Sequence, residues 1–542
     1  MTMTTKTATP RATATFRVRA ALAAALCVPL GGAAWAQDAL VVTSKDLEPA
    51  VAAWKSFRES QGLKVVVREP GADVAATVAS VHGASGGKLR FVLLLGDVDR
   101  VPCAYVPVAA TAKWESDTRI ATDAPYADID GDGVPDLAIG RVPADSLDEA
   151  RSLLARSAAY ESNRDFGEWR RRLQVIAGTG GFGPLQDAAM EQMTKQFLTR
   201  DVPPSVVVTG TYGNPQSAWC PPPKEFADTT VERFNEGAFV VAYIGHGSAD
   251  SVDTVKVGRE RFPILGAPEV ARIDVRHGAP VAVFIACSTG KFDAETDCLA
   301  EEILRRPNGP VGVIASSRVS TPYSNGILSK EMLSALWQEP AATTGELLLA
   351  MKRRLVAPRA DDAERKQIEG LAAAFYDPDE SRRAADRREH LALYNLLGDP
   401  CVRLLRPAEL LLDAPAKAEQ GARITVTGTA PAAGRLVVEL VRRRDASVAI
   451  GSRKTADEWR ATYLAANALA VARAEQKVQA GAFSIELVVP ADARSGPCVV
   501  RAYLESAASS AAGGRAIEIP PAPRPDEPAP EAPPAPPNPE DR

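Results

Sequence analysis

The N-terminal part of the chain alternates short apolar runs with segments of helical spacing. Apolar runs at 39–45, 63–67 and 91–95 predict buried strands. Between them, 47–61 and 74–82 carry hydrophobic residues at intervals of three and four, which predicts helices. Apolar strands that alternate with helices are typical of a parallel sheet covered on both faces. The pattern therefore predicts an α/β subdomain over residues 37–165.

The same alternation returns after residue 165. The predicted elements are strands at 173–178, 205–209, 239–244, 281–286 and 311–315 and helices at 185–198 and 230–235. The strands at 239–244 and 281–286 are the most apolar of the set. We therefore expect a second, Rossmann-like α/β subdomain over residues 166–405, so that two α/β subdomains with parallel sheets follow each other.

The pattern changes again near Pro407. Shorter alternating segments at 423–427, 435–441, 483–489 and 498–504 are separated by turns that contain Pro and Gly, which predicts a β-sandwich over 406–519. The alanine-rich stretch 461–479 fits either a helical insertion or strands. Residues 520–542 contain eleven of the 42 prolines, and this composition predicts an extended, disordered tail.

Residues 1–36 have the order of a signal peptide. Basic residues end at Arg19, an uncharged run follows from 20 to 36, and Ala34-Trp35-Ala36 forms an A-x-A cleavage pattern before Gln37. Pro29 and two glycines interrupt the apolar run, so it is too short to make a good membrane anchor. We expect cleavage near Ala36 and a secreted, periplasmic or cell-surface protein without a transmembrane segment.

Composition narrows the possible partners. The chain has 63 basic and 68 acidic residues, which gives a formal charge of −5. Nucleic-acid binding needs a basic surface, so this acidic chain is not expected to bind nucleic acid. Seven cysteines are too few for a disulfide scaffold in a chain of 542 residues. The sequence also contains no zinc spacing, P-loop or dinucleotide fingerprint, so no organic cofactor is expected.

Two polar motifs stand where strongly apolar strands end. Gly245-His246-Gly247-Ser248 follows the strand at 239–244, and Cys287 follows the strand at 281–286. Ligand sites of open parallel sheets lie beyond the carboxyl ends of the strands. A nearby imidazolium favours the thiolate form of a cysteine, so this pair suits nucleophilic acyl transfer. The competing interpretation is a buried structural cysteine beside an incidental histidine.

The chain resembles the gingipain-type cysteine peptidases over roughly residues 39–405. Five motifs carry the resemblance in the right order: Val92-Leu93-Leu94-Leu95-Gly96-Asp97 with Pro102 after it, Asp136-Leu137-Ala138-Ile139-Gly140-Arg141-Val142-Pro143, Gly245-His246-Gly247-Ser248, Ala286-Cys287 followed by Cys298-Leu299-Ala300-Glu301, and Asn395-Leu396-Leu397-Gly398-Asp399-Pro400. The resemblance implies a caspase-like fold of clan CD, an Ig-like domain behind it, and a protein or peptide substrate.

Site residues follow from that resemblance by position. It implies that Cys287 is the nucleophile, that His246 is the general acid, and that Asp136 orients the imidazole. The backbone N–H groups of Gly247 and Cys287 would hold the oxyanion, and the loop 316–326 would line the specificity pocket. A pocket specific for Arg or Lys in the substrate would need a buried acid at its base. Asp145, Asp148 and Glu149 are near the right region for that acid, and none of them is compelling.

An acidic run precedes the Ile-Gly-Arg motif. Asp128, Asp130 and Asp132 have the D-x-D-x-D-G spacing that aims alternate carboxylates at one point in calcium loops. Ile139 stands where a full EF-hand has its bidentate Glu. The run therefore predicts either a structural Ca²⁺ site or an exposed turn rich in Asp and Gly.

The function predicted from these motifs is a secreted cysteine endopeptidase with a Cys–His dyad. The alternative is a catalytically silent module that binds partners at the cell surface in a calcium-dependent way. A serine-hydrolase elbow around Ser85 is a weaker alternative, because Gly83–Gly87 follows a helical stretch rather than a strand. Histidines 82, 277 and 390 have polar neighbours and are expected at the surface.

Overall fold

The computed structural model describes residues 38–180, 183–357, 362–446 and 450–521, and the side chains of 184–190 are outside the description. The predicted signal peptide at 1–36 and nearly all of the predicted tail at 520–542 lie outside the described residues. Two regions follow one another along the described chain: an α/β region to about residue 405 and a β region after it.

The α/β region is built on one ten-stranded sheet. In chain order the strands of this region, including two small ribbons, are β1 (Asp38–Thr43), β2 (Lys64–Arg68), β3 (Leu89–Leu95), β4 (Ala104–Pro107), β5 (Arg119–Thr122), β6 (Ala138–Val142), β7 (Arg172–Ala177), β8 (Val207–Tyr212), β9 (Val240–Ile244), β10 (Thr254–Val257), β11 (Glu260–Pro263), β12 (Val281–Ile285), β13 (Gly312–Ser316) and β14 (Tyr394–Gly398). The strand order in the sheet is β2-β1-β3-β6-β14-β13-β12-β9-β7-β8.

The sheet reverses direction once, between β13 and β14. These two strands are antiparallel, whereas every other neighbouring pair in the sheet is parallel. The carboxyl ends of β9, β12 and β13 therefore lie at the same edge as the amino ends of β6 and β14. The carboxyl ends of β3 and β6 lie at the opposite edge.

Helices cover both faces of this sheet. They are α1 (Val51–Ser60), α2 (Val74–Ala84), α3 (Leu147–Ser162), α4 (Pro184–Arg200), α5 (Phe226–Asn235), α6 (Ala267–Val270), α7 (Leu299–Arg305), α8 (Pro322–Leu333), α9 (Thr344–Val356), α10 (Ala363–Phe375) and α11 (Glu380–Leu393). In β12, Ala282 and Phe284 pack into the core on one face, and Val281, Val283 and Ile285 pack into the core on the other. Burying each of the Val, Ile and Phe side chains contributes roughly 1.5–3 kcal/mol, so the two cores fix this strand firmly.

The two predicted α/β subdomains are not separate bodies. β14, the last strand of the second, pairs with β6 of the first. One hydrophobic core also contains residues of both, such as Leu93 and Phe284. The predicted α/β class is correct, and the two consecutive units share one sheet and one core.

The C-terminal region consists of two antiparallel-rich sheets. Its elements are β15 (Ala408–Glu409), β16 (Leu412–Asp413), β17 (Arg423–Ala430), β18 (Gly434–Arg442), α12 (Ala456–Asn467), β19 (Ala470–Val478), β20 (Gly481–Val488), β21 (Gly496–Ser506) and β22 (Ser510–Ile519). A five-stranded sheet, β15-β22-β21-β18-β19, and a three-stranded sheet, β16-β17-β20, enclose a common core, as in a sandwich. The stretch 461–479, for which the sequence allowed either a helix or strands, contains the end of α12 and the strand β19.

The C-terminal region covers the edge strand β8 of the large sheet. The side chain of Asn467 accepts a hydrogen bond from the N–H of Gly210 and donates one to its carbonyl, at 2.8 and 3.0 Å. Arg444 donates to four carbonyls around the end of α4, which include those of Leu198 and Val206. The amide of Asn467 thus takes the place of a neighbouring strand at an otherwise open edge.

The helices of the described ranges are short or carry charged residues. None of the helices there is both long and apolar enough to cross a bilayer.

Candidate active site

His246 and Cys287 lie at the sheet edge that the direction reversal defines. His246 is two residues beyond the end of β9, and Cys287 is two residues beyond the end of β12. These strands are direct neighbours and run parallel, so the sheet sets the spacing between the two motifs. The placement predicted from the two apolar strands is therefore found in the structure.

The two motifs touch through their backbones. The N–H of Gly245 donates to the carbonyl of Ile285 at 3.2 Å. A Cβ built at Gly247 would lie 2.7 Å from the carbonyl oxygen of Cys287 and 2.7 Å from Cγ2 of Thr289, closer than real Cβ contacts allow. Only glycine lets the histidine loop approach the cysteine loop this closely.

The backbone after the nucleophile candidate is strained. Ser288 has φ of 55°, and it is the one non-glycine residue with positive φ among those that the structure describes. Its N–H donates to the carbonyl of Arg318 at 3.0 Å, which holds the turn. Strained residues of this kind persist where the surroundings over-determine them, and they cluster at functional sites.

The backbone N–H of Gly247 takes no part in the local backbone pairing. Gly247 and Val252 form an isolated antiparallel bridge, in which the hydrogen bonds belong to their neighbours. Asp253 donates to the carbonyl of His246, and Ser248 donates to the carbonyl of Ser251. Among the described residues, neither the Gly247 nor the Cys287 N–H donates to a backbone carbonyl in a turn or loop.

The His246 ring is exposed and has a backbone partner. Its Nε2 lies 3.2 Å from the carbonyl oxygen of Gly180, in the loop after β7. The hydroxyl of Tyr243 donates to the carbonyl of His246 at 2.9 Å and holds the loop from behind. A carbonyl oxygen only accepts, so Nε2 is the donor in this contact.

The prediction that Asp136 orients His246 is wrong. Asp136 precedes β6, and β6 is four strands away from β9, roughly 19 Å at ~4.8 Å per strand. The Asp136 carboxylate instead accepts from the N–H of Ile129 at 2.9 Å and from Arg353 at 3.1 Å. The contact of His246 Nε2 is with the carbonyl oxygen of Gly180.

The acidic run forms a compact loop next to Asp136. Carboxylate oxygens of Asp128, Asp130 and Asp136 lie within 4.8 Å of one another, an arrangement that could hold a metal ion. Asp132 stands outside this group, and its Oδ1 accepts from the N–H of Val134 at 2.7 Å. The three oxygen donors fit a Ca²⁺ ion in chemistry, with Asp136 in the position predicted for Asp132.

Cys287 differs from the other cysteines in exposure. The six cysteines of the described chain form no disulfide, and Cys287 alone among them is not buried. Burial raises the pKa of Cys103 to about 11 and that of Cys220 to about 12, and it also raises the pKa of Cys298, Cys401 and Cys498. Only Cys287 therefore combines access with a polar surrounding.

The groups behind the sulfur of Cys287 could not be recognised in the sequence. The Sγ atom of Cys287 lies 3.4 Å from both the N–H and the carbonyl oxygen of Ser320, and 3.9 Å from the Ser320 hydroxyl. Ser320 belongs to the loop 316–326, so that loop does lie beside Cys287. Nothing in the residue types around Ser320 signals contact with a cysteine 33 positions earlier.

His390 is also placed differently from its prediction. It is fully buried, donates from Nδ1 to the Asp386 carbonyl at 2.8 Å and accepts from the N–H of Thr321 at 3.0 Å. The carboxylate of Asp386 accepts from the Thr321 hydroxyl at 2.6 Å. These contacts anchor the start of α8, directly after Ser320.

The weaker candidates lie away from Cys287, either at the opposite edge or, for Ser85, before β3, which is four strands from β12. Asp145 and Glu149 follow the carboxyl end of β6, which is at the opposite edge, and both pair with Arg305. Asp148 is exposed beside Arg151. Ser85 follows the end of α2, where its hydroxyl donates to the carbonyl of His82. None of these residues can take part in chemistry at Cys287.

Curated proteins with similar sequences are gingipains. Gingipain R2 of Porphyromonas gingivalis is 22% identical over 402 residues, which cover 71% of this chain and 48% of the relative. Gingipain R1 of the same organism is 22% identical over 396 residues, which cover 70% of this chain and 35% of the relative. The chain thus spans about half, or less, of the length of these relatives.

Solved structures show the same fold. The crystal structure of the Arg-specific cysteine proteinase gingipain R aligns with a TM-score of 0.51 at 17% identity, over 89% of this chain and 98% of that chain. The complex of the Porphyromonas gingivalis RgpB pro- and mature domains gives 0.50 at 16% identity, over 89% and 100%. These alignments confirm the predicted caspase-like fold, whereas the Ig-like assignment of the C-terminal region stays a prediction.

The family assignment rests on the longest match. The model of peptidase family C25 matches residues 34–405, which is more than half of the chain and includes both site motifs. The gingipain-type resemblance predicted from five short motifs is thereby confirmed. The protein belongs to peptidase family C25.

Proposed function

We propose that this protein is a cysteine endopeptidase whose dyad is Cys287 and His246. The observation that carries the proposal is the packing of the two motifs against each other at one sheet edge, where Gly247 fits only as glycine. Cys287 is, in addition, the single accessible cysteine of the described chain. The family match and the fold support a peptidase independently of this geometry.

In the proposed reaction, the thiol proton of Cys287 passes to the imidazole of His246. The thiolate attacks the carbonyl carbon of the scissile bond, and the imidazolium gives its proton to the leaving amine. Water then hydrolyses the thioester and regenerates the thiol. The contact between Nε2 and the Gly180 carbonyl supports a fixed position of the ring.

The proposed oxyanion site consists of the N–H groups of Gly247 and Cys287. Both donors belong to loops fixed by the sheet, so they need no rearrangement when charge develops on the substrate oxygen. Loss of one such donor typically lowers kcat by about 10²–10³-fold.

A peptide library tests the proposed activity. The purified protein is incubated with a mixture of unmodified peptides and with labelled casein, and the new termini are identified by mass spectrometry. We expect internal cleavage that iodoacetamide abolishes. Hydrolysis that resists iodoacetamide and responds to a fluorophosphonate would favour the serine-hydrolase alternative, and no hydrolysis together with calcium-dependent partner binding would favour the silent module.

We also propose that Asp128, Asp130 and Asp136 bind a structural Ca²⁺ ion. Three neighbouring carboxylates repel each other, and a cation that binds only the folded state stabilises it, by about 2.7 kcal/mol at a concentration of 100 Kd. The melting temperature should therefore rise between chelator and millimolar calcium, and Asp128→Asn should reduce the rise. Asp148→Asn is the control, because it changes an exposed acid in α3, outside the acidic loop. An equal rise in both variants would contradict the proposed site.

We propose, finally, that the protein is exported and acts outside the cytoplasm or at the cell surface. This rests on the signal-peptide order of residues 1–36. Mass spectrometry of the chain recovered from the periplasm or medium should find its N-terminus at or close to Gln37. Intact Met1 on cytoplasmic protein would contradict export.

A further inference from the structure

The sulfur of Cys287 faces a chain of hydrogen-bond donors that the dyad does not include. The hydroxyl of Tyr394 donates to Oδ1 of Asn325 at 2.7 Å, and Nδ2 of Asn325 donates to the hydroxyl oxygen of Ser320 at 2.8 Å. The Ser320 hydroxyl in turn donates to Sγ of Cys287. All three bonds run in one direction, toward the sulfur.

The direction of this chain is fixed at its start. Burial raises the pKa of Tyr394 and outweighs the lowering effect of its 3.5 Å contact with the Ser320 hydroxyl, so the phenol keeps its hydrogen. Oδ1 of Asn325 can only accept, which leaves its Nδ2 as the donor toward Ser320. The Ser320 oxygen accepts from Asn325, and the Ser320 hydroxyl can therefore donate its own hydrogen to the sulfur. Donors linked in series also polarise one another.

The backbone of Ser320 serves both states of the sulfur. Its carbonyl accepts the S–H of the neutral thiol, whereas its N–H can stabilise the anion, each at 3.4 Å. The hydroxyl hydrogen adds a donor that favours the thiolate, because a hydrogen bond to the charged form of a group stabilises that form. The hydroxyl of Ser320 therefore adds to the stabilisation of the thiolate by the N–H of Ser320.

We propose that Ser320 is a third catalytic residue, which stabilises the Cys287 thiolate through its hydroxyl, and that Asn325 and Tyr394 are positioning residues that orient that hydroxyl. This proposal rests on the proposed function only in that Cys287 is the nucleophile. No covalent bond forms or breaks in the chain of donors. The thiol proton leaves as in the dyad mechanism, and Ser320 keeps its own hydrogen.

The test is the pH dependence of Cys287 alkylation, which needs no turnover. The full chain is treated with iodoacetamide between pH 5 and 10, and the rate of adduct formation at Cys287 is followed by mass spectrometry. We expect Ser320→Ala to raise the apparent pKa of the thiol by about one unit, which means about tenfold slower alkylation at acidic pH. Tyr394→Phe and Asn325→Ala should shift it in the same direction by a smaller amount.

Matched variants separate this role from general disturbance. Ser320→Thr keeps the hydroxyl and should restore the wild-type profile. Ser317→Ala removes a buried hydroxyl of the same loop that donates to the Ala121 carbonyl, and Tyr126→Phe removes a buried phenol that donates to the Pro102 carbonyl. Neither control should move the profile.

Several outcomes would overturn the proposal. One is a profile for folded Ser320→Ala that coincides with that of the wild type, and another is an equal shift in Ser317→Ala. If Ser320→Ala does not fold, unchanged profiles for Tyr394→Phe and Asn325→Ala would overturn it instead. Absence of peptide hydrolysis by the wild-type protein would refute the proposed function, whereas the alkylation profiles decide the role of Ser320 separately.

Discussion

Cys287→Ala should lower peptide hydrolysis by at least about 10⁴-fold, because removal of a nucleophile leaves only binding and oxyanion contributions. His246→Ala should cost about 10²–10⁴-fold, since it removes the proton transfer to the leaving amine. Both residues follow strands whose cores remain intact, so folding should be preserved. The measurement is the initial rate of cleavage of the best library peptide, with circular dichroism and thermal unfolding recorded on the same samples.

A cysteine elsewhere supplies the control for this experiment. Cys498 is buried in β21 of the C-terminal region, away from the site. Cys498→Ala removes one buried sulfur and should leave the rate near that of the wild type. Wild-type rates for well-folded Cys287→Ala would refute the dyad, and equal losses in both cysteine variants would point to a general effect of truncation.

Arg58→Met should destabilise the α/β region by about 3–5 kcal/mol, the usual cost of leaving buried charges without their partner. Arg58 is fully buried in α1, and it donates to Glu161 at 2.5 Å and to Asp399 at 2.6 Å. Burial alone would lower the pKa of Arg58, but Asp399 and Glu161 raise it overall, so the guanidinium stays charged. The substitution leaves two buried carboxylates to repel each other.

The measurement for this variant is the midpoint of urea unfolding of the α/β region. Arg151→Met provides the control, because Arg151 forms an exposed pair with Asp148 and such pairs are worth at most about 1 kcal/mol. A second substitution, Asp399→Asn, should recover part of the loss in Arg58→Met. Equal midpoints for Arg58→Met and Arg151→Met would contradict a stabilising role for the buried cluster.

The strands that carry the site could be predicted because they are buried on both faces. Such strands read as continuous apolar runs, and those at 239–244 and 281–286 match β9 and β12 to within a residue. Their carboxyl ends then located His246 and Cys287. This part of the site needed only local patterns and one rule about sheet edges.

The place of Asp136 could not be predicted, because it depends on the order of strands. Its motif lies just before β6, and the reversal between β13 and β14 does bring the start of β6 to the edge with the site. The distance along that edge depends on which strands lie between β6 and β9. The order of these strands depends on pairing between segments far apart in the sequence, and local patterns do not predict such pairing.

The donors behind Cys287 were missed for a similar reason. Ser320 precedes α8, Asn325 lies within it, and Tyr394 begins β14. Each has an ordinary local role that the sequence alone explains. Only the antiparallel pairing of β13 with β14, which places Ser316 opposite Tyr394, brings the three side chains together behind the sulfur.

Parallel measurement of alkylation and activity tests the central claim most directly. The native protein is treated with a limiting series of iodoacetamide, and each sample is divided between peptide mapping and the hydrolysis assay. The account predicts a single adduct, at Cys287, with activity falling in proportion to its occupancy. Full activity in a sample whose Cys287 is completely alkylated would contradict the account, as would inactivation that follows an adduct on any other cysteine.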